Sequence, residues 1–201
     1  MIRYILNLVG MLLSPLIRVL SASVWSNAAA HIYTGAYRPF FGHIGKGTVV
    51  YHKAMKLHGL KMVSVGSCCS FGESLQLTSW QGGHITIGDD CIIRAYAHIT
   101  AANSITIGNG LLTGTNVLIT DNSHGSFTHE HLSMQPGLRP IVSKGPVVIG
   151  NNVWLGNNVC IMPGVTIGDG VVVGANSVVT HDIPAYSMAA GIPAKIIKQL
   201  S

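Results

Sequence analysis

Charged side chains are scarce in this chain. Only 9% of its 201 residues are Asp, Glu, Lys or Arg, and only 6% are aromatic. Intrinsic disorder goes with high charge and low hydrophobicity, so the 48% of hydrophobic residues exclude a disordered chain. The 12 Lys and Arg residues are scattered rather than clustered, which argues against nucleic acid as a partner. The net charge of +5 suits an anionic ligand or lipid headgroups instead.

Cysteine is also scarce, and its spacing excludes the common structural zinc sites. The four cysteines are Cys68, Cys69, Cys91 and Cys160, and none of them forms a CxxC pair. Thiols without an evident pairing pattern fit a reducing compartment. We therefore expect a cytoplasmic protein.

The sequence lacks an uninterrupted hydrophobic run of membrane-spanning length, although its N-terminus is apolar. Residues 1–24 carry one stripe of polar residues at helical spacing, formed by Arg3, Asn7, Ser14, Arg18 and Ser21. Arg18 and Pro15 argue against a membrane span. We expect an amphipathic helix within residues 1–30 that either packs on the rest of the protein or lies on the inner face of a membrane.

What the sequence does contain is a six-residue repeat. Residues 149–184 divide into the hexads IGNNVW, LGNNVC, IMPGVT, IGDGVV, VGANSV and VTHDIP. The first position is always aliphatic, and all but one of the fifth positions are Val or Ile. Because side chains alternate along a strand, these two positions share one face and the sixth points the other way. Each hexad is therefore a short strand with a corner, and three hexads close one turn of a parallel β-helix.

The same phase continues upstream with lower fidelity, for example in VGSCCS, IGDDCI, IGNGLL and ITDNSH. It places Cys69 and Cys91 at the inward fifth position, as small apolar fillers. The pattern predicts an all-β chain with four segments: an apolar amphipathic helix over 1–30, an irregular lead-in over 31–64, a parallel β-helix over 65–184 and a tail over 185–201.

The longest interruption of the repeat, residues 125–146, has no strong strand pattern and is expected to protrude as an external loop. Loops of this length are often functional. His124 directly precedes it and stands at an outward sixth position. An imidazole on a rigid strand beside a long loop suits a general base near neutral pH, although His124 is one of ten histidines and a solvated surface residue is the alternative.

Trp154 also stands at an outward sixth position, where smaller residues occupy the sister hexads. A large ring there indicates either a binding cleft or a subunit interface, and the two roles are compatible.

Several short motifs occur in a recognisable order: Asp121-Asn-Ser-His124-Gly125, Val153-Trp154-Leu155-Gly156, Met162-Pro163-Gly164, Gly174-Ala-Asn-Ser-Val-Val179 and Ala190-Gly191-Ile192-Pro193-Ala194-Lys195. Over about residues 85–198 the chain resembles the hexapeptide-repeat O-acetyltransferases, most closely the branch that acts on lipopolysaccharide and other surface polysaccharides. The resemblance implies a left-handed β-helix, a homotrimer, and acetyl-CoA as co-substrate in clefts between subunits. It implies no metal.

The resemblance also implies roles for individual residues. His124 would deprotonate a sugar hydroxyl that attacks the thioester of acetyl-CoA directly, while backbone N–H groups hold the oxyanion. Relatives often carry Asp-His-x-His here, and Asn122 replaces the first histidine, so His124 would act alone or with Asp121. The expected cleft residues are Trp154, Asn122 and Arg139, and the expected coenzyme A contacts are Gly174, Ala175, His181, Ala190, Gly191, Lys195 and Lys198.

Two alternative functions are left open by the sequence. A zinc site like that of the β-helical carbonic anhydrases could draw on His98, His124, His129 and His131, although the Gly191-Ile-Pro-Ala-Lys195 segment has no purpose there. A non-catalytic module could bind partners through the flat faces of the prism. No pattern defines the sugar, and acceptor choice is expected to depend on residues 30–85 and on the loop 125–146.

Overall fold

The computed structural model describes residues 23–51 and 56–200, with side chains described from residue 28 onward. Most of the amphipathic segment predicted at the N-terminus lies outside the described residues. The first described element is helix α1 (Ser23–Tyr37), which packs on the first coil of the β-helix. There the Val50 N–H donates a hydrogen bond to Thr34 Oγ1 at 2.8 Å. Within the described ranges no helix has the length and apolar character that a membrane span requires.

The chain from residue 43 onward folds into a left-handed parallel β-helix of about six turns, as predicted. Its three faces are three sheets. Sheet A contains β1 (His43–Ile44), β4 (Val63–Val65), β7 (His84–Ile87), β10 (Ser104–Ile107), β15 (Val147–Ile149) and β18 (Thr166–Ile167). Sheet B contains β2 (Val49–Val50), β5 (Ser70–Phe71), β8 (Ile92–Ile93), β11 (Leu112–Thr113), β16 (Trp154–Leu155), β19 (Val172–Val173), β21 (Ser187–Gly191) and β22 (Ala194–Gln199). Sheet C contains β3 (Lys56–His58), β6 (Gln76–Ser79), β9 (His98–Ala101), β12 (Leu118–Thr120), β17 (Cys160–Ile161) and β20 (Val178–Val179).

The core is a column of inward side chains set by the hexad phase. First positions such as Ile149, Leu155 and Ile161 are at most 1% exposed. Cys69 and Cys91 are 1% and 0% exposed, which confirms their predicted inward placement. Each coil adds one layer to this column, so apolar burial stabilises every neighbouring pair of coils.

The corner between sheets B and C is built from asparagine and small residues. Asn158 and Asn176 have φ values of 57° and 59°, a conformation that asparagine tolerates better than most residues. Their side chains form a ladder, in which Asn158 Nδ2 donates to Asn176 Oδ1 at 2.9 Å. A Cβ atom on Gly156 would lie 2.6 Å from the backbone nitrogen of Ala175, so only glycine permits the coils to stack this closely.

The β-helix begins about one coil earlier than the repeat pattern indicated. Strands β1, β2 and β3 lie within residues 31–64, where we expected an irregular lead-in, and each pairs in parallel with the next strand of its sheet. A short 3-10 helix precedes β1 (Arg38–Phe40) and another follows β3 (Leu60–Met62). Corner residues beyond the six-residue period also interrupt the phase further along the chain. One example is the turn at residues 80–83, where the Gly83 N–H donates to the Trp80 carbonyl at 2.8 Å.

The segment expected as a tail also contributes strands to sheet B. β21 continues the parallel stack beside β19, and β22 then folds back to pair antiparallel with β21.

Candidate active site

The insertion in the repeat starts and ends as a β-hairpin. Strand β13 (Asn122–His124) pairs antiparallel with β14 (Ile141–Ser143). Between them lie helix α2 (His129–Ser133) and a 3-10 turn (Pro136–Leu138). The segment that we expected to be a loop without strands is therefore bordered by two paired strands. Strands of three residues are too short to show an alternation of polar and apolar residues in the sequence.

His124 is the last residue of β13, and its side chain is exposed. The next residue, Gly125, has a φ of 76°, and its N–H donates to the Pro140 carbonyl at 2.7 Å. A Cβ atom there would lie 3.0 Å from Arg139 Cδ and 3.2 Å from His131 Cβ. Glycine therefore lets the chain turn tightly after His124, which fixes the backbone that carries the imidazole.

His124 lines a cleft of about 680 Å³ between the hairpin and sheet C. The hairpin contributes Asn122, Ser123 and Ile141 as well. Sheet C contributes a row of threonines, Thr78, Thr100 and Thr120, which stand in register on β6, β9 and β12. The remaining lining residues are Lys56, Trp80, His98, Leu118 and Met162. The cleft therefore combines hydroxyl and imidazole groups with apolar side chains, as ligand pockets commonly do.

Asp121 is buried rather than exposed to the cleft. Its carboxylate accepts hydrogen bonds from the backbone N–H groups of Ala102 and Asn103 at 2.7 and 2.8 Å. It also accepts one from Asn122 Nδ2 at 3.0 Å. These bonds attach the start of the hairpin to the preceding coil, so Asp121 positions the strand of His124 instead of contacting its imidazole.

Asn122 anchors the hairpin and also lines the cleft. Its Nδ2 atom donates a second hydrogen bond to the Thr100 carbonyl, at 3.0 Å. Asn122 thus ties β13 to sheet C.

Three side chains that no sequence pattern singled out, Lys56, His58 and Trp80, lie near His98 at the N-terminal end of the cleft. The rings of Trp80 and His58 stack with centroids 4.4 Å apart and planes at 23°. Lys56 Nζ lies 5.2 Å from the centroid of the Trp80 ring. Burial lowers the pKa of His98, and the positive charge of Lys56 lowers it further. His98 is therefore a neutral imidazole at pH 7, able both to donate and to accept a hydrogen bond.

Trp154 lies on a different face of the prism. It is 52% exposed and pairs in sheet B with Leu112 and Val172. Together with Gly174 and Ala175 it lines a hollow of about 300 Å³. The structure thus brings the predicted residues Trp154, Gly174 and Ala175 together on the side of sheet B. Within one chain His124 lies elsewhere, beside sheet C.

The remaining predicted coenzyme A contacts are spread over the last coil. A Cβ atom on Gly174 would lie 3.0 Å from Ala190 Cβ, so these two small residues stack at the hollow. The Gly191 N–H donates to Ser177 Oγ at 3.0 Å. His181 is exposed, with Nδ1 2.9 Å from Thr180 Oγ1.

Two lysines follow on β22. Lys195 pairs with Ala190 and Lys198 with Met188. Lys198 also lines a hollow of about 190 Å³ with Gly170 and Tyr186.

Arg139 points back into its own loop. Its Nε atom donates to the Met134 carbonyl at 3.2 Å and Nη2 donates to the Leu132 carbonyl at 3.4 Å. The guanidinium therefore holds the loop together and is not part of the cleft lining.

The histidines considered for zinc are divided between two places. His98 and His124 line the cleft, whereas His131 Nδ1 accepts the Ser126 N–H at 3.0 Å. Across residues 23–51 and 56–200, no group of three or more His, Cys, Asp or Glu side chains is placed to hold a metal ion.

Comparison with known proteins gives a consistent result. The sequence model of the family described as bacterial transferase hexapeptide (six repeats) matches residues 146–181. The chain is 43% identical over 140 residues to WbbJ of Escherichia coli (strain K12), a protein named as a lipopolysaccharide biosynthesis O-acetyl transferase. That match covers 68% of this chain and 71% of WbbJ.

Solved structures also match. A hexapeptide-repeat containing acetyltransferase of Vibrio cholerae O1 biovar eltor, complexed with acetyl coenzyme A, is 26% identical with a TM-score of 0.53. The match covers 83% of this chain and 75% of that one. A mutant of AntD, an N-acyltransferase from Bacillus cereus in complex with dTDP and coenzyme A, shares the fold. It is 22% identical with a TM-score of 0.67, and the match covers 80% of this chain and 84% of AntD.

Proposed function

Because the chain belongs to the hexapeptide-repeat O-acetyltransferase family, we propose that it acetylates a sugar hydroxyl in the biosynthesis of lipopolysaccharide, a capsule or an exopolysaccharide. The chain is an acyltransferase that uses acetyl-CoA. One observation carries the proposal: the exposed His124 stands on a fixed hairpin strand and lines a cleft of hydroxyl-bearing and imidazole side chains.

His124 acts as the general base in this proposal. It takes the proton of the sugar hydroxyl as the sugar oxygen attacks the thioester carbonyl carbon. Backbone N–H groups stabilise the tetrahedral oxyanion. The C–S bond then breaks, and the imidazolium returns its proton to the departing coenzyme A thiolate. A thiolate is a good leaving group, so the step needs no covalent enzyme intermediate.

An exposed apolar row on sheet B supports a homotrimer. Ile92, Leu112, Trp154 and Met188 are 41%, 36%, 52% and 42% exposed, and Val172 joins them in one register row across the sheet. Contiguous apolar surface of this kind marks a protein interface. A ring of three subunits buries it by a head-to-tail contact, in which sheet B of one subunit faces the hairpin of the next.

Acetyl-CoA then binds between subunits. Trp154, Gly174 and Ala175 of one subunit would lie along the pantetheine arm, and His124 of the neighbour would face the thioester. Lys195, Lys198 and His181 follow on the last coil as candidates for the phosphate groups.

Free thiols support a reducing, cytoplasmic location. Cys68, Cys69, Cys91 and Cys160 are all unpaired, as expected where disulfides do not persist. Contact of residues 1–24 with the inner face of the membrane belongs to the same proposal.

The function is tested by thiol release from acetyl-CoA with a panel of sugars. Replacing His124 by Ala is expected to lower kcat by about 10²- to 10⁴-fold, the usual contribution of a general base. His129→Ala is the matched control, because His129 is an exposed histidine on α2 outside the cleft lining. Equal turnover by wild type and His124→Ala would remove His124 from the mechanism.

A further inference from the structure

The N-terminal end of the cleft lies away from the strand that leads to His124. Lys56 and Thr78 lie on β3 and β6, which are three and two strands away from β12 in the order of sheet C. Strands are about 4.8 Å apart, so these residues lie roughly 10 to 15 Å along the sheet from the strand that leads to His124. That separation places them beside a part of the acceptor remote from the reacting hydroxyl.

The cleft carries a positive charge from one side chain. In the described part of the chain its lining includes the ammonium of Lys56 and no Asp or Glu. Lys56 is exposed at the mouth of the cleft, and its ammonium lies over the Trp80 ring, which stacks on His58. A cation–π contact leaves ammonium N–H groups available to an anion.

Thr78 supplies a second indication of a ligand. Its side chain is 1% exposed and lines the cleft. Among the described residues its Oγ1 atom has no hydrogen-bond partner, whereas the Thr120 hydroxyl in the same row donates to the Asn122 carbonyl at 3.1 Å. An unpaired buried hydroxyl is costly, so a group that enters the cleft would remove this cost.

We propose that Lys56, with the Thr78 hydroxyl and the His98 imidazole, forms a subsite for an anionic group of the acceptor. The acceptor is then an acidic sugar that carries a carboxylate, as a uronic acid does, or a phosphate, as a nucleotide-linked or phospholipid-linked sugar does. This inference rests on the proposed function and adds to it the charge class of the acceptor.

Turnover of matched acceptors is the first test. Methyl glucoside, methyl glucuronide and UDP-glucose present a neutral, a carboxylate and a phosphate form of one sugar. At least one of the anionic acceptors is expected to have a kcat/KM about 10- to 100-fold above that of the neutral one, as one charge-assisted hydrogen bond provides. The better of the two identifies carboxylate or phosphate as the group bound.

Variants of Lys56 assign the preference to this side chain. Lys56→Gln is expected to raise KM for the anionic acceptor and to remove the preference, and Lys56→Arg to retain it. Lys46→Gln is the matched control, since Lys46 is an exposed lysine in the described first coil and outside the cleft lining. Equal kcat/KM for all three acceptors overturns the subsite. The subsite is also overturned if Lys56→Gln keeps the preference for the anionic acceptor, or if Lys56→Gln raises only the KM for acetyl-CoA.

A binding experiment separates this inference from the proposed function. The His98 ring is followed by NMR while inorganic phosphate or acetate is added, against chloride at equal ionic strength. An anion on Lys56 offsets part of the charge that lowers the pKa of His98, so the pKa of His98 is expected to rise in wild type and not in Lys56→Gln. No rise with either anion overturns the subsite.

The two failures are distinguishable. Anion-dependent titration of His98 without any acetyl transfer would retain the subsite and refute the proposed function. Transfer to neutral and anionic sugars at equal rates would retain the function and refute the subsite.

Discussion

Sheets B and C are built by the same repeat, yet they present opposite chemistry to their surroundings. The outward positions of sheet C carry Lys56 and His98 in one register row and the threonines of the cleft in a second row. The corresponding row of sheet B carries Leu112, Trp154 and Met188, which are apolar and exposed. Both sheets bury the same kind of aliphatic column inside. The repeat thus fixes only the inward positions, so each outward face is free to acquire its own function.

The largest expected effect comes from combining two inactive variants, one with a defect on sheet B and one with a defect beside sheet C. Ala175→Trp is expected to fill the hollow of about 300 Å³ on sheet B and to exclude the pantetheine arm. His124→Ala removes the base beside sheet C. Each variant alone is expected to lose at least about 100-fold in kcat/KM. Suppose that each site is formed by sheet B of one subunit and His124 of its neighbour. In a co-expressed 1:1 mixture about half of the subunits have an intact sheet B and about half have an intact His124. Because the head-to-tail contact pairs subunits at random, roughly a quarter of the sites are intact, and the mixture regains roughly a quarter of the wild-type rate.

Thiol release by the purified mixed oligomers measures this recovery. Separately purified variants that are mixed without subunit exchange serve as the control. A mixture as inactive as its parents would mean that the two faces do not meet in a shared site.

A charged residue in the apolar row of sheet B tests whether that row forms the interface between subunits. Leu112→Glu is expected to raise the dissociation constant of the oligomer by at least about 100-fold, since an unpaired carboxylate would be buried in the contact. Val148→Glu is the matched control, because Val148 is 37% exposed on sheet A and Leu112 is 36% exposed on sheet B. Sedimentation velocity reads the outcome, and an equal effect of both substitutions would contradict a specific interface on sheet B.

The smallest expected effect is on stability and concerns the cleft face alone. Burial and Lys56 lower the pKa of His98 below its ordinary value of 6.5, so the unfolded chain takes up this proton at a higher pH than the folded chain. The free energy of unfolding is therefore expected to fall as the pH drops below about 6.5. Urea unfolding between pH 7 and pH 5 should show a weaker pH dependence in His98→Gln than in wild type. The exposed His84 on sheet A provides a control substitution, and parallel curves for wild type and His98→Gln would contradict the expectation.

The inward half of this fold could be predicted from the sequence. The strict period of the repeat places Val153 and Leu155 on one face, and the same phase located Cys69 and Cys91. The first coil escaped detection because strands of two or three residues, such as β1 and β3, carry too few positions to show a phase when the corners between them vary in length.

Part of the site was predictable for the same reason. His124 stood out because it occupies an outward position directly before the longest break in the repeat. Trp154 stood out because its side chain is much larger than those at the same position of the other hexads. Lys56, Thr78 and Trp80 were missed because they meet across coils, and a contact between coils is visible only when the length of every corner is known. Asp121 was paired with His124 through proximity in sequence, but residues three apart on an extended chain point to opposite sides, and its carboxylate is buried in backbone hydrogen bonds instead.

The two ends of the described β-helix are closed by different elements. At the first coil α1 covers β2, and the Val50 N–H is satisfied by Thr34 rather than by a further strand. At the last coil β22 turns back on β21 in the antiparallel sense. Stacked parallel strands are otherwise a template for open-ended growth into fibrils. On sheet B the parallel stack is covered by α1 at one end and by the antiparallel β22 at the other. A second molecule therefore cannot extend this face as a further parallel coil, which favours contacts of copies side by side.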